Sequence, residues 1–370
     1  MPRNIFEKKN EKPIFNDESV LYPEFVPERL PHRDNEIDLL AGAFQPVLKG
    51  MKPGNAFIFG SPGTGKTVTV RFVLKELENY SDRAKGLVIN CWQLNSRTAI
   101  LSEIINFLGR AVPRRGLGAD ELYSYLKSTL KGISFSPIII LDEADKLFEK
   151  GEASQLIYDL ARLEVPKNFL SLVMIANNES LALKLDPRID SSLMPLKLEF
   201  KQYNPSQLKD ILKERCKFAF TENAADSEII NLASAFAAKN NGDARIAIQS
   251  LLNAGRLAEK QGKNKITVDL LKQSFVLSQD NILKKKIMYL KPELKKLLLL
   301  VSDNPDLKSM ELFALFKSKH ENKCSPRNYR YYLKELLEKE LVNSNKVKHG
   351  NGLTRSFKIN FPEKFLELLE

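Results

Sequence analysis

The sequence predicts an α/β protein. A parallel sheet covered by helices on both faces is followed by an all-helical region and then a small domain of helices and a hairpin. Three observations predict this. Between about residues 35 and 200, short runs that are apolar at every position alternate with amphipathic helical stretches, as expected for strands buried on both faces of a parallel sheet. After Tyr203-Asn204-Pro205 the strand-like runs stop. Beyond Lys284-Lys285-Lys286 the order becomes helix, helix, helix, hairpin, the order of a winged helix-turn-helix.

Each element has its own signal. The first 16 residues are polar and charged and read as a mobile tail. Ala56-Phe57-Ile58-Phe59 is a strand running into a glycine-rich turn. Leu87-Val88-Ile89-Asn90, Ile138-Ile139-Ile140-Leu141 and Leu172-Val173-Met174-Ile175 repeat the theme, with helices expected over 68–78, 99–108 and 155–163. Further helices are expected over 207–218, 226–239, 243–261 and 268–277. Asn241-Gly242-Asp243 marks a stop and restart in which Asp243 is a fitting N-cap. The last region has helices over 292–301, 309–319 and 326–340, the third opened by Ser325-Pro326, a strong start signal. A hairpin over 346–359 turns at Gly350-Asn351-Gly352. The expected division is a tail (1–16), a sheet domain (17–202), a helical region (203–281) and a winged helix (282–370).

Composition narrows the function. With 370 residues, 43% hydrophobic and 28% charged, the chain is globular, of two or three domains, and not intrinsically disordered. The longest apolar runs fall far short of the ~18 residues of a membrane span, and Met1 to Lys9 lacks the apolar core of a signal peptide. Cys91, Cys216, Cys324 and the three histidines are scattered, which argues against a disulfide framework and a protein-ligated metal and for a reducing, cytoplasmic setting. The net charge of +11 hints at a polyanionic partner. Residues 281–370 hold 19 Lys/Arg against 11 Asp/Glu, so eight of the eleven surplus charges sit in the last quarter. Such a split suggests that one part does chemistry and another holds nucleic acid.

Gly60-Ser61-Pro62-Gly63-Thr64-Gly65-Lys66-Thr67 fits G-x-x-x-x-G-K-[ST] in full, between a strand and a helix continuing through Val68. Glycines let backbone N–H groups close around a β-phosphate, and the helix N-terminus adds its dipole. Lys66 is expected to bridge the β- and γ-phosphates of ATP, and the Thr67 hydroxyl to hold Mg²⁺. About 75 residues on, an apolar strand ends in Asp142-Glu143. Asp142 is then expected near the magnesium waters, and Glu143 beside the attacking water as its orienting or basic group. Asn177 ends another strand and is expected to face the γ-phosphate. Arg245, at the start of a helix where the dipole disfavours a cation, is expected to reach the same phosphate from the helical region. In the basic region, Arg327 and Arg330 occupy the first turns of the third helix, where a recognition helix meets base edges and phosphates. Tyr329 and Tyr332 fit core or phosphate contacts better than base stacking. Lys346, Lys348, Arg355 and Lys358 follow with no acid between residues 342 and 360, a wing suited to phosphate.

At these residues the sequence resembles the AAA+ class, and more closely the archaeal origin-recognition and helicase-loader initiators. Tyr22-Pro23-Glu24-Phe25-Val26-Pro27-Glu28-Arg29-Leu30-Pro31-His32-Arg33 is similar to that family's N-terminal signature, which packs near the adenine. Gly60 to Thr67 and Asp142-Glu143-Ala144-Asp145 resemble its Walker boxes, Ile175-Ala176-Asn177-Asn178 its sensor 1 and Gly242-Asp243-Ala244-Arg245 its sensor 2. The resemblance implies an AAA+ base with a helical lid, ATP or ADP as ligand with Mg²⁺, and nucleotide contacts by Tyr203 and Arg215. The segment from Asn90 to Leu117 sits where the family has a DNA-touching insertion, which makes Arg110, Arg114 and Arg115 candidates. The implied function is a replication initiator. It would bind double-stranded origin DNA, recruit the replicative, MCM-type helicase, hydrolyse ATP slowly as a switch, and associate with further copies or paralogues on DNA in the nucleoid. Two departures stand out. The wing tip, Lys348 to Arg355, has fewer arginines than the family pattern, and Ser192 stands where many AAA+ oligomers carry a finger arginine, with Arg188 nearby. The rival readings are an AAA+ winged-helix ATPase of DNA remodelling or defence, which would hydrolyse ATP briskly, and a DNA-binding regulator that holds nucleotide without turnover.

Overall fold

Four segments with apolar residues facing both sides make the strands that the pattern predicts, and a fifth joins them. The computed structural model describes residues 13–113, 116–149, 151, 153–163, 169–177, 187–305, 307–319, 324–349 and 352–369. β1 (Ala56–Phe59), β2 (Ala84–Asn90), β3 (Ser136–Asp142), β4 (Ser171–Ala176) and β5 (Leu196–Glu199) form one parallel sheet in the order β2-β3-β4-β1-β5. Every residue of β3 and β4 is buried, which is why they read as unbroken apolar runs. β5 was not expected. Its Leu196-Lys197-Leu198-Glu199 is an edge strand with only Leu198 buried, so it lacks that signature.

Helices cover both faces. α1 (Asp34–Phe44) and α2 (Lys66–Tyr80) bury Leu40, Phe44, Val70 and Val73 against Ile58, Ile140 and Val173. On the other face α3 (Arg97–Phe107), α4 (Ala119–Leu130) and α6 (Ala153–Ala161) bury Leu101, Ile104, Leu126 and Ile157 with Ile139 and Met174. The short α5 (Asp145–Glu149) follows β3, and α7 (Pro187–Leu193) precedes β5. Because β1 lies between β4 and β5, the chain crosses over on leaving β1. The loops at the carboxyl ends of β1, β3 and β4 therefore meet in one crevice, where ligands bind in open α/β sheets.

The helical region holds α8 (Pro205–Ala219), α9 (Ser227–Lys239), α10 (Ala244–Lys260) and α11 (Val268–Met288). Asn204 closes a capping box with Gln207, and Asp226 and Asp243 cap α9 and α10. The polar tail ends earlier than expected: Ile14 is fully buried, and Phe15 bridges to Phe220 and stacks on its ring at 5.1 Å. Gly255 admits this contact, since a Cβ there would clash with the Phe15 ring at 2.4 Å from Cζ.

The chain divides into two compact units, residues 1–274 and 275–370. The division falls inside α11, not at the triple lysine, and α11 runs straight through Lys284-Lys285-Lys286. Residues 263–291 contain no Gly or Pro, and lysine is a good helix former, so nothing stops the helix at the triple lysine, and it runs on to Met288. In the second unit α12 (Pro292–Asp303), α13 (Ser309–Lys319) and α14 (Pro326–Glu338) surround Leu297, Phe316, Leu336 and Phe357. β6 (Val342–His349) and β7 (Gly352–Ile359) pair antiparallel, with Lys346 opposite Arg355. The hairpin starts at residue 342, earlier than the sequence suggested, because the buried Val342 anchors a strand whose next residues look like a loop. Ser356 also pairs with Lys308, a one-residue third strand. Among the described residues no helix is long and apolar enough to cross a membrane.

Candidate functional site

β1 delivers the chain into Gly60 at φ +149, where a Cβ would lie 2.3 Å from the carbonyl oxygen of Phe200, so only glycine fits. The loop closes at Gly65, φ +91, which caps α2 without a side-chain hydrogen bond. The first-turn N–H groups of α2 thus have no side-chain cap from Gly65, an arrangement that, with the helix dipole behind it, suits an anion. Lys66, 7% exposed, donates to the carbonyl oxygens of Gly60 (2.7 Å) and Ser61 (2.9 Å) and to Asn177 Oδ1 (3.3 Å). Burial, and secondarily the charge of Arg245, lower its pKa to about 8. Among the described residues no carboxylate touches this buried cation, a group that an anionic ligand would complete.

The acidic end of β3 meets it. Thr67 Oγ1 donates to Asp142 Oδ2 at 2.9 Å, and Asp142 Oδ1 accepts the Glu143 N–H at 3.0 Å. These are hard oxygen donors, the chemistry that suits Mg²⁺. Glu143 has φ +55, an uncommon conformation for this residue type, and burial together with the neighbouring Asp142 raises its carboxyl pKa. The Ala144 N–H donates to Ile175 O and the Asn177 N–H to Asp145 Oδ2, both at 2.9 Å, tying the ends of β3 and β4 together.

The helical region closes the cleft from above. Pro62 to Val68 bring the loop, Asp142, Glu143 and Asn177 the strand ends, and Tyr203, Arg215 and Arg245 the far wall of a cavity of about 1260 Å³ including its open mouth, while Gly60 and Ser61 lie outside its lining. Within that wall the arginines are already engaged. Arg245 forks onto Asp243 (3.2 and 3.0 Å), the cap of its own helix. Arg215 donates to Val20 O at 2.8 Å and lies 4.8 Å above the Phe25 ring, so it fastens the N-terminal segment that forms the apolar end of the cleft. Burial lowers its pKa to about 10. Tyr203 packs under the loop, its hydroxyl 2.6 Å from where a Cβ on Gly65 would be. Sequence reasoning gave no individual role to Arg33, which lies 4% exposed beneath the same loop and donates twice to Thr64 O. The signal was faint: an arginine inside the N-terminal signature, far in sequence from what it touches.

The basic candidates divide. Arg327, Arg330, Arg355 and Lys358 are exposed, and the first three make no ion pair among the described residues. Ser325 caps α14 as expected, accepting the Asn328 N–H at 3.2 Å. Tyr329 is core, its hydroxyl donating to Ser309 O at 3.0 Å. Arg110 lies over the Tyr125 ring at 4.0 Å and donates to Ser128. Arg114 and Arg115 lie outside the described residues, as do the side chains of Lys346, Lys348 and Arg188 and the turn residues Gly350 and Asn351.

Known proteins match along nearly all of this chain. The family model for the AAA domain covers residues 50–184, and that for the Cdc6 AAA+ ATPase-type lid domain covers 209–275. The ORC1-type DNA replication protein of Thermococcus onnurineus is 33% identical across 96% of this chain and 91% of its own. The ORC1-type DNA replication protein 1 of Archaeoglobus fulgidus is 33% identical across 98% and 92%. Among solved structures, the Aeropyrum pernix ORC1 protein in complex with DNA aligns with a TM-score of 0.82 and 29% identity over 98% of this chain and 97% of that one. Crystalline Cdc6p from Pyrobaculum aerophilum aligns at 0.65 and 25% over 96% and 97%. Identity at this level across both units makes the chain a member of the ORC1-type DNA replication proteins, which are ATPases of the AAA+ class.

Proposed function

We propose that the chain is an ATP-dependent replication initiator in which the cleft binds ATP with Mg²⁺ and the C-terminal unit binds origin duplex DNA. The observation that carries the nucleotide half is Lys66, a buried ammonium that no carboxylate among the described residues touches, at a helix N-terminus without a side-chain cap. The Gly60–Thr67 loop would cradle the phosphates, and Thr67 and Asp142 would hold Mg²⁺, largely through water. Bound there, the ion neutralises phosphate charge and polarises the γ-phosphoryl group. Glu143, its pKa already raised, is suited to orient or deprotonate the attacking water, with Asn177 steering it.

Arg245 supports a switch. It rests on Asp243, and Asp243 packs against the loop: a Cβ on Gly63 would fall inside its carboxylate. A γ-phosphate would compete with Asp243 for this arginine and so shift the lid against the base. Exposed Arg327, Arg330 and Arg355 on α14 and the wing, which make no ion pair among the described residues, and exposed Lys358 support duplex binding, as does the likeness to a relative solved with DNA. Family membership supports recruitment of an MCM-type helicase. Footprinting on candidate origins of its own genome, with and without ATP, tests the whole reading. The expected result is ATP-dependent protection of discrete sites; uniform protection of random DNA in both states would sink it. Steady-state turnover separates a slow switch from a brisk motor.

A further inference from the structure

Arg33 is a buried side chain with every donor engaged. It is 4% exposed, yet all five of its N–H groups have acceptors. Nε and Nη2 converge on Thr64 O at 3.1 and 2.7 Å. Nη2 also reaches Lys201 O at 2.9 Å, and Nη1 reaches His32 O at 3.3 Å and Glu36 Oε1 at 3.0 Å. The guanidinium lies 4.1 Å from the Tyr203 ring centroid and 5.1 Å from that of Phe200. Burying a charge is costly, and well-packed apolar residues usually do as well for stability. A buried guanidinium with every donor used therefore points to a demand for position.

That demand is at the phosphate loop. In a trans peptide the C=O and the next N–H point in opposite directions. By gripping Thr64 O from below, Arg33 turns the Gly65 N–H the other way, toward the cleft that Gly65 lines. Glycine at φ +91 would otherwise let this peptide plane rotate at little cost. Tyr203 reinforces the arrangement, since its hydroxyl crowds the Gly65 Cα from the same side.

We propose that Arg33 is a positioning residue for phosphate binding, fixing the Thr64–Gly65 peptide so that its N–H donates to the nucleotide's β-phosphate. It also joins the loop to the chain entering the lid, through Lys201 and Tyr203. This rests on the nucleotide reading given above, and the test keeps the two apart.

Calorimetric affinities of the full chain for ATP, ADP and adenosine are compared with those of Arg33→Lys, which keeps the charge and much of the stem but loses the two-pronged grip. The expected result is a loss of about ten- to hundredfold for ATP and ADP, the value of a hydrogen bond to a charged group, with adenosine affinity unchanged. Loss shared equally by all three ligands would make Arg33 merely structural, and unchanged ATP affinity would likewise overturn the proposal. Should Arg33→Lys not fold, Arg33→Gln, which removes the buried charge, gives the same comparison. If the unsubstituted chain binds adenosine and ATP equally weakly, the nucleotide reading itself fails, a different outcome from an Arg33 variant without effect.

Discussion

In the first unit the cations of the site are few and already committed, and two of them, Arg33 and Lys66, are buried. Lys66 is held by two carbonyls, Arg33 by four acceptors and Arg215 by the N-terminal segment, while residues 1–280 carry little of the net charge. In the second, Arg327, Arg330 and Arg355 stand in solvent without acidic partners among the described residues, in the quarter of the chain that holds eight of the eleven surplus charges. On the proposed reading, one region would recognise an anion by geometry, with donors fixed before the ligand arrives. The other would attract one by field. The first should resist salt and depend on single atoms; the second should be salt-sensitive and spread over several residues.

The largest effect tests whether the units are separable. Phe316 is fully buried in the C-terminal core. Phe316→Ala should cost about 3–5 kcal/mol there, and calorimetry should show one of two transitions fall while ATP binding survives. A single shifted transition would break the comparison. Next, Lys66→Ala should weaken ATP by about 100-fold or more, since it removes charged hydrogen bonds to phosphate. DNA affinity without nucleotide should stay as it was; titration of both ligands checks this, and retained ATP affinity would mean that the cleft is not the nucleotide site.

Acidity sharpens the contrast further. The pKa of Lys66 in the empty cleft is about 8, against an ordinary 10.5. Below pH 8 the ammonium is present to meet phosphate, and above it the free protein must take up a proton to bind. ATP affinity should thus fall about tenfold between pH 7 and 9, with proton uptake visible as buffer-dependent binding heats. The same shift makes the ligand-free chain gain stability from this group as pH rises from about 8 to 10.5, because the unfolded lysine holds its proton longer. Lys66→Arg should abolish the pH dependence of binding. The smallest effect is in the other unit. Removing Arg327 and Arg330 should lower the slope of log affinity against log salt by about 0.9 per lost phosphate contact. An unchanged slope would move the DNA interface elsewhere.

The phosphate loop was legible because its geometry is local. Three glycines within six residues, between a strand and a helix, meet their partners mostly within the same turn. Ser325-Pro326 was legible for the same reason, a cap acting three residues away. β3 and β4 announced themselves by burial on both faces, whereas β5, an edge strand with one buried residue, had nothing to announce. The lysine run misled: a local charge cluster suggested a boundary, but α11 ignores it because lysines favour helix.

The sequence by itself therefore determined the nucleotide loop, the acidic strand end, the order of elements and the asymmetry of charge. These depend on residues near one another in the chain or on composition. Tertiary structure alone decided that Arg33 reaches Thr64 and Lys201, 31 and 168 positions away, and that Arg215 fastens residues 20 and 25. It also decided that Asp243 both caps a helix and presses on Gly63. Such contacts are set by where the crossover after β1 and the turn into the lid bring distant backbone carbonyls. A carbonyl is the same in every residue, so no side-chain pattern records which one a buried arginine will find.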